Sequence, residues 1–343
     1  MFEKLHFYTW GHTAQGLKSF TESNLLNIDK LFVLKHPSET VKTAVIKKVI
    51  GDYEDTSKIE VIRGINGNEY LDGVIIPDQS LAVLARPVKL DRASVIEIKS
   101  SVDSTEIDEL FDRKNLITTK AYEDFATGLK VHDELEEIYI KEMNFDKADQ
   151  LATEFINKLL SYRPIPEENG YIYHRLFGTN TKNGIVNVVP KLISNVTKTF
   201  FIKGRAGTGK STFMKKIANA CSQHGFDVEL YHCSFDSGSI DMVLVRDLDF
   251  CIFDSTDPHE FFPSREGDEV IDLYKELVTS GTDEKFKIEI DELNDRYKSY
   301  MRKGNERLKE AGLYQTLVEE KCKQYDSNNL DINKVVESIE STQ

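Results

Sequence analysis

The stretch Gly204-Arg-Ala-Gly-Thr-Gly-Lys-Ser-Thr212 has the residue types and spacing to hold a phosphate chain. It matches G-x-x-x-x-G-K-[ST], the phosphate-binding P-loop. Glycine at 204, 207 and 209 lets backbone N–H groups of Gly204, Arg205, Ala206, Gly207, Thr208 and Gly209 turn onto phosphate oxygens without a Cβ in the way. Lys210 then reaches the β- and γ-phosphates, the Ser211 hydroxyl sits on Mg²⁺, and Thr212 continues into a helix whose positive end faces the anion.

Further polar residues follow at the expected strand ends. Phe250-Cys-Ile-Phe-Asp254 is an apolar run ending in aspartate, the Walker-B pattern in which Asp254 holds Mg²⁺ through water. Many ATPases carry a glutamate directly after that aspartate to orient the attacking water, and here the place is taken by Ser255. Asp257 or Glu260 from the following loop can serve instead, and Arg265 can balance γ-phosphate charge. The alternative for this loop is a capped turn into a helix starting near Asp268. Ahead of that run, Asp236 and Asp241 lie past the strand that follows the P-loop helix, where small-molecule kinases keep the carboxylate that takes a substrate proton. No N-K-x-D reads a guanine, so ATP is the expected nucleotide.

The elements that must position these residues occur twice. Shifted by 168 residues, 6–49 lies over 174–217 without a gap, and 30–49 against 198–217 shows seven identities: Lys30, Phe32, Lys35, Thr40, Lys42, Lys47 and Lys48. About one is expected by chance from composition. The strands continue the match with a one-residue slip: 59–62 beside 227–231, 71–76 beside 240–245, and 81–85 beside 250–254.

The first copy has lost the loop's chemistry. His36, Glu39 and Val41 stand where the second copy has Gly204, Gly207 and Gly209, Pro37 lacks an N–H, and Ala85 replaces Asp254. Lys42 and Thr43 keep the places of Lys210 and Ser211. Segments rich in i, i+3, i+4 apolar spacing follow each copy: Tyr122, Phe125, Ala126, Leu129, Leu135, Ile138 and Tyr139, then Ile290, Leu293, Tyr297 and Tyr300. His132-Asp-Glu134 reads as a solvated face with one packed imidazole. Phe145-Asp146 and Tyr325-Asp326 hint that the helical arms repeat too. Tyr162–Gly170, with its prolines and glycine, reads as a linker.

The expected architecture is therefore α/β: two P-loop NTPase-like lobes from an internal duplication, each with an α-helical arm. The boundaries are a degenerate lobe at 1–98, an arm and linker at 99–168, an active lobe at 169–281 and a carboxyl-terminal arm at 282–343. Arg63, Arg86 and Arg92 of the first lobe fall at or after strand ends, where one of them can offer charge to the neighbouring site; the alternative is a purely structural lobe.

The 343 residues carry 58 acidic and 44 basic side chains, a formal charge of −14, which disfavours a broad nucleic-acid or anionic-membrane footprint. No apolar run approaches membrane-spanning length, and the amino-terminal residues lack signal architecture. The four cysteines are scattered without a C-x-x-C pair, and His232-Cys233 alone is a weak metal signal. A cytoplasmic protein is expected.

Gly204–Thr212, followed by Tyr231-His-Cys-Ser-Phe-Asp236, Ser239-Ile-Asp-Met242 and Phe253-Asp-Ser-Thr-Asp-Pro-His259, resembles a bacterial family of tandem P-loop proteins described as ATP-binding or ATPase without an assigned substrate. The resemblance covers nearly the whole chain and is strongest over 174–275. It implies Mg·ATP as ligand, while the family's first lobe also carries a P-loop, from which His36–Thr43 and Ala85 depart. The expected function is ATP hydrolysis coupled to movement of helical arms that can engage a protein partner. A non-catalytic ATP-binding switch or scaffold, and a small-molecule kinase using Asp236, are the alternatives.

Overall fold

The computed structural model describes residues 4–161, 163, 166–257, 260–326 and 331–341. Tyr162, Pro164 and Ile165 of the expected linker, and Pro258 and His259 of the family-like stretch, lie outside the described residues.

The first lobe contains β1 (Lys4–Phe7), a hairpin of β2 (Trp10–Thr13) and β3 (Gly16–Ser19), β4 (Lys30–Lys35), α1 (Glu39–Tyr53), β5 (Ile59–Arg63), β6 (Leu71–Ile76), β7 (Leu81–Leu84) and β8 (Ser94–Glu97). Two helices follow, α2 (Ser104–Lys141) and α3 (Phe145–Leu160). The second lobe contains β9 (Ile172–Arg175), a hairpin of β10 (Gly178–Thr181) and β11 (Gly184–Asn187), α4 (Val189–Ile193), β12 (Lys198–Lys203), α5 (Lys210–Gln223), β13 (Val228–His232), β14 (Ile240–Val245), β15 (Phe250–Asp254), β16 (Asp268–Asp272) and α6 (Leu273–Leu277). The chain ends with α7 (Thr282–Lys285), α8 (Lys287–Asp326) and α9 (Ile332–Ser341).

Two six-stranded mixed sheets result, ordered β1-β5-β6-β7-β4-β8 and β9-β13-β14-β15-β12-β16. In each, one strand (β6 or β14) runs antiparallel to both neighbours, and all other pairs are parallel. The agreement extends to irregularities. A register shift falls between Ile62 and Arg63 in one sheet and between Tyr231 and His232 in the other. The turns into β7 and β15 each hold a non-glycine residue in the left-handed region, Ser80 at φ 51° and Asp249 at φ 50°. Because helices cover the sheet faces, the central strands read as continuous apolar runs rather than alternating ones. All six residues of β6 and of β14 are buried.

The arms are placed differently from the expected lobe-plus-own-arm order. Helix α3, which follows the first lobe, packs Ala152 and Leu160 into the core of the second with Phe213, Ile217 and Phe250. Helix α9, which follows the second lobe, packs Val336 and Ile339 into the core of the first with Val45 and Val49. Between them α2 and α8 run antiparallel along their length, joined by the ion pairs Glu106–Lys321, Asp124–Arg307 and Glu134–Arg296. Helices of 38 and 40 residues span about 57–60 Å at a rise of 1.5 Å per residue. Phe145 begins α3 whereas Tyr325 lies in the last turn of α8, so these two sequence-matched positions are not structural equivalents.

The lobes share a third core, with Leu5, Phe7, Tyr8 and Leu31 from one and Leu176, Phe177, Phe201 and Phe253 from the other. At its edge Arg175 is buried between Glu60 and Glu229, at 3.0 and 2.9 Å, its guanidinium 3.9 Å from the Phe7 ring centroid. Glu60 and Glu229 occupy the second position of β5 and of β13, so one guanidinium neutralises the same residue of both sheets. The segment expected to start a helix near Asp268 instead forms edge strand β16, paired in parallel with β12. No helix among the described residues is long and apolar enough to cross a membrane.

Candidate functional site

The glycine-rich loop leaves the carboxyl end of β12 and enters α5 at Lys210. Gly207 and Gly209 are in the left-handed region, φ 69° and 80°, which a side chain disfavours. A Cβ at Gly204 would come within 2.5 Å of the Thr208 hydroxyl, which itself donates to the Arg205 carbonyl at 2.9 Å. The loop therefore depends on its glycines for its shape. Lys210 Nζ donates to the Arg205 carbonyl at 2.8 Å and lies 3.5 Å from Asp254 Oδ2 at the end of β15. The other Asp254 oxygen accepts from the Thr256 N–H and hydroxyl. Ser211 Oγ accepts from the Ile240 N–H at 2.9 Å. The structure thus brings Lys210, Ser211 and Asp254 to one end of the sheet.

Two neighbouring aspartates differ in state. Burial, with the Asp254 carboxylate alongside, pushes Asp241 up to about 7. Burial would raise Asp236 as well, but hydrogen bonds from Ser239, Gly238 and Gln15 hold it below the ordinary carboxylate range. Gln15 comes from the turn of the β2–β3 hairpin, so the first lobe reaches the second lobe's site through an amide.

The arms close over the loop, which sequence reasoning missed. A Cβ on Gly207 would meet the Glu136 carbonyl of α2 at 2.6 Å, and one on Gly209 would meet Met143 at 3.1 Å. Arg205 turns away from the loop and pairs with Asp283 of α7 at 2.8 Å, over the Tyr274 ring, while Tyr139 donates to the same carboxylate. The His132 imidazole is packed as expected, but against Phe235 of the second lobe and Tyr297 of α8. Burial lowers its pKa, with Glu136 opposing and Lys210 reinforcing the shift. Two grooves, of about 330 and 720 Å³, lie along α2–α8 and beside the α2–α3 junction, and neither is lined by Gly204–Thr212.

Four expected contributors fall elsewhere. Arg265 donates to the Ile193 carbonyl and to Thr199 Oγ1, at the start of β12. The loop begins at the other end of that strand, four residues or roughly 13 Å away at strand rise, so Arg265 lies at the opposite end of β12 from the glycine-rich loop. Arg63 bonds the Asn68 carbonyl, Arg86 pairs with Asp72 at 2.8 Å, and Arg92 bonds the Leu25 carbonyl. All three are used inside the first lobe, so the expected charge offered across the lobes does not come from them. Glu260 lies at the correct end of the sheet but is drawn to Lys203 at 3.1 Å, and Asp257 is exposed beside Lys298. Ser255 is fully buried, its hydroxyl exchanging hydrogen bonds with Phe261. His232 Nε2 lies 2.8 Å from His174 Nδ1 and the His232 Nδ1 is taken by the Ser237 carbonyl, so the ring is spent on protein partners.

The equivalent corner of the first lobe is filled from within. Thr43 Oγ1 accepts from the Leu71 N–H as Ser211 does from Ile240. Lys42 Nζ donates to Glu39 Oε1 at 3.1 Å and to the Ala85 carbonyl. Ser38 caps α1, and the Glu319 carboxylate of α8 accepts from the Ser38 hydroxyl and the N–H groups of Glu39 and Thr40. A carboxylate thus sits on the helix N-terminus where a phosphate binds in a working loop. Arg86 supplies a positive charge to Asp72, the counterpart of Asp241.

Comparison with protein-family models, with curated proteins and with solved structures finds no match to any of them.

Proposed function

We propose that the chain is a P-loop NTPase that arose by internal duplication, with one functional Mg·ATP site in the second lobe and a degenerate one in the first. The observation that carries this is the strand–loop–helix at β12–α5: two left-handed glycines, Lys210 at the helix start, and Asp254 within 3.5 Å of its ammonium. The residues fit the ligand. Backbone N–H groups of Gly204–Thr212 would hold the phosphates, Lys210 would bind the β- and γ-oxygens after leaving the Arg205 carbonyl, and Ser211 with Asp254 would hold Mg²⁺. Bound Mg²⁺ supplies charge neutralisation between the β- and γ-phosphates.

Hydrolysis coupled to the helical arms is the activity this reading favours, because α2 lies directly on the loop and α3 on the helix behind it. The same reading leaves Asp236 a poor kinase base, since three donors already take most of its acceptor positions and hold its pKa below the ordinary carboxylate range. The test is equilibrium binding and turnover of labelled ATP with Mg²⁺. Lys210→Ala should abolish binding while Lys42→Ala leaves it unchanged. Equal affinity of Lys210→Ala and wild type would overturn the assignment of the site. Tight binding without phosphate release would select the switch.

A further inference from the structure

We infer that Glu136 of α2 is the carboxylate that takes a proton from the attacking water in the second lobe, with His132 positioning it. The inference rests on the nucleotide reading above and deepens it. P-loop ATPases need a group to orient and deprotonate water, and the place after Asp254 holds Ser255, buried and hydrogen-bonded on both sides. Of the other carboxylates at this end of the sheet, Asp241 is buried, with a hydrogen bond from the Cys233 thiol, and the rest have partners. Asp254 faces Lys210 and Thr256, Asp236 accepts three hydrogen bonds, Glu260 pairs with Lys203, and Asp257 pairs with Lys298.

Glu136 is different. Its backbone touches Gly207 of the loop, and its side chain remains 38% exposed beside the His132 imidazole, at 3.6 Å, an imidazole that in turn feels the Lys210 charge. The internal repeat supplies an independent observation. At one common offset along the arms, Gln315 and Glu319 of α8 correspond to His132 and Glu136 of α2, and Lys120, Glu123 and Glu137 also match Lys303, Glu306 and Glu320. In the first lobe Gln315 donates to Glu319 Oε1 at 2.8 Å, and Glu319 reaches the N–H groups that open α1. A glutamate at this helical position therefore reaches the phosphate end of its lobe when a partner four residues earlier holds it. In the first lobe it replaces the phosphate. In the second, where the loop keeps its glycines, the same carboxylate would stand on the water side of a bound γ-phosphate.

The step balances without a further reactant. The water oxygen bonds to the γ-phosphorus and the bond to the β–γ bridging oxygen breaks, its electron pair remaining on ADP. One water proton passes to Glu136 and then to solvent. The experiment compares wild type, Glu136→Gln and Lys210→Ala by three readouts: fluorescent-ATP affinity, the nucleotide retained after gel filtration with Mg²⁺, and phosphate release. Glu136→Gln should bind ATP as tightly as wild type, retain ATP rather than ADP, and release phosphate at least about 10²-fold more slowly, the range for a lost general base. Wild-type release rates in Glu136→Gln, with Lys210→Ala unable to bind, would overturn the inference and leave the nucleotide site standing. ATP bound but not hydrolysed by wild type would do the same. Wild-type affinity in Lys210→Ala would remove the site and the inference together.

Discussion

At the residue scale, the β12–α5 and β4–α1 turns show how few atoms separate an open glycine-rich turn from a closed polar cluster. Where β12–α5 has Gly207, β4–α1 has Glu39, whose carboxylate lies 3.1 Å from Lys42, and Glu319 satisfies the helix N-terminus. The histidines of the lobe interface make a second residue-scale point. His12 is buried against Tyr122, and burial, with Arg86 and Lys114 nearby, lowers its pKa from 6.5 to about 3. The native state refuses a proton that the unfolded chain accepts, so this contribution to stability is present above pH 6.5 and is lost as pH falls toward 3. The loss between pH 6.5 and pH 5 is about 2 kcal/mol, from 1.36 kcal/mol per pH unit below the unfolded value. Asn180 occupies the matching place in the second copy, so His12→Asn should fit and should flatten this loss. Denaturant midpoints at pH 7 and pH 5 check it: parallel losses in wild type and variant would show that His12 does not carry the acid sensitivity.

At the element scale, α2 and α8 approach closely because glycines permit it. A Cβ on Gly304 would lie 2.2 Å from the ring of Phe125, which is fully buried. Gly304→Ala gains at most about 1 kcal/mol of helix propensity but costs about 1–3 kcal/mol in overpacking, so destabilisation wins. Gly51 in α1 is the control, exposed with nothing within 4 Å of a Cβ, and Gly51→Ala should stabilise by about 0.5–1 kcal/mol. Thermal melts of both variants should move in opposite directions. A stabilised Gly304→Ala would show that the arms are not tightly packed at this crossing.

At the scale of the whole molecule, each arm leaves one lobe and finishes the core of the other, and a third core joins the sheets. No lobe has a complete core of its own, so unfolding should be one cooperative transition. Arg175 is the sharpest single test of that coupling. Removing its guanidinium leaves Glu60 and Glu229 buried without a cation, a loss of about 3–5 kcal/mol for a broken buried pair. Arg175→Met should therefore lower the single transition as a whole, measured by calorimetry. Two resolved transitions in wild type, or a change below about 1 kcal/mol in the variant, would contradict a shared interface.

Much of this architecture was legible in the chain itself. The glycine-rich turn, the polar turn at its 168-residue offset and the succession of elements along the chain are encoded locally: glycine, proline and β-branched runs act through backbone sterics over a few residues, and similar sequence at a fixed offset repeats that code. The pairing of Lys210 with Asp254 also follows from strand ends that a parallel sheet brings together. What the sequence did not determine is anything decided between distant elements. Arg265 lies near the site in sequence, but the loop returns to the start of β12 and carries it to the wrong end of the sheet. Asp268 has the look of a helix start, yet an open sheet edge beside β12 offered it hydrogen bonds and made it a strand. The arginines of the first lobe found partners closer than the neighbouring loop. The arms have helical periodicity that fixes which face is apolar but not which lobe buries it, and only tertiary packing chose the crossed arrangement. Glu136 and Glu319 were unreadable for that reason: on an isolated helix each is one solvated charge among many, and its place beside the turn that opens α5 or α1 exists only once two helices some 57–60 Å long have locked in antiparallel register.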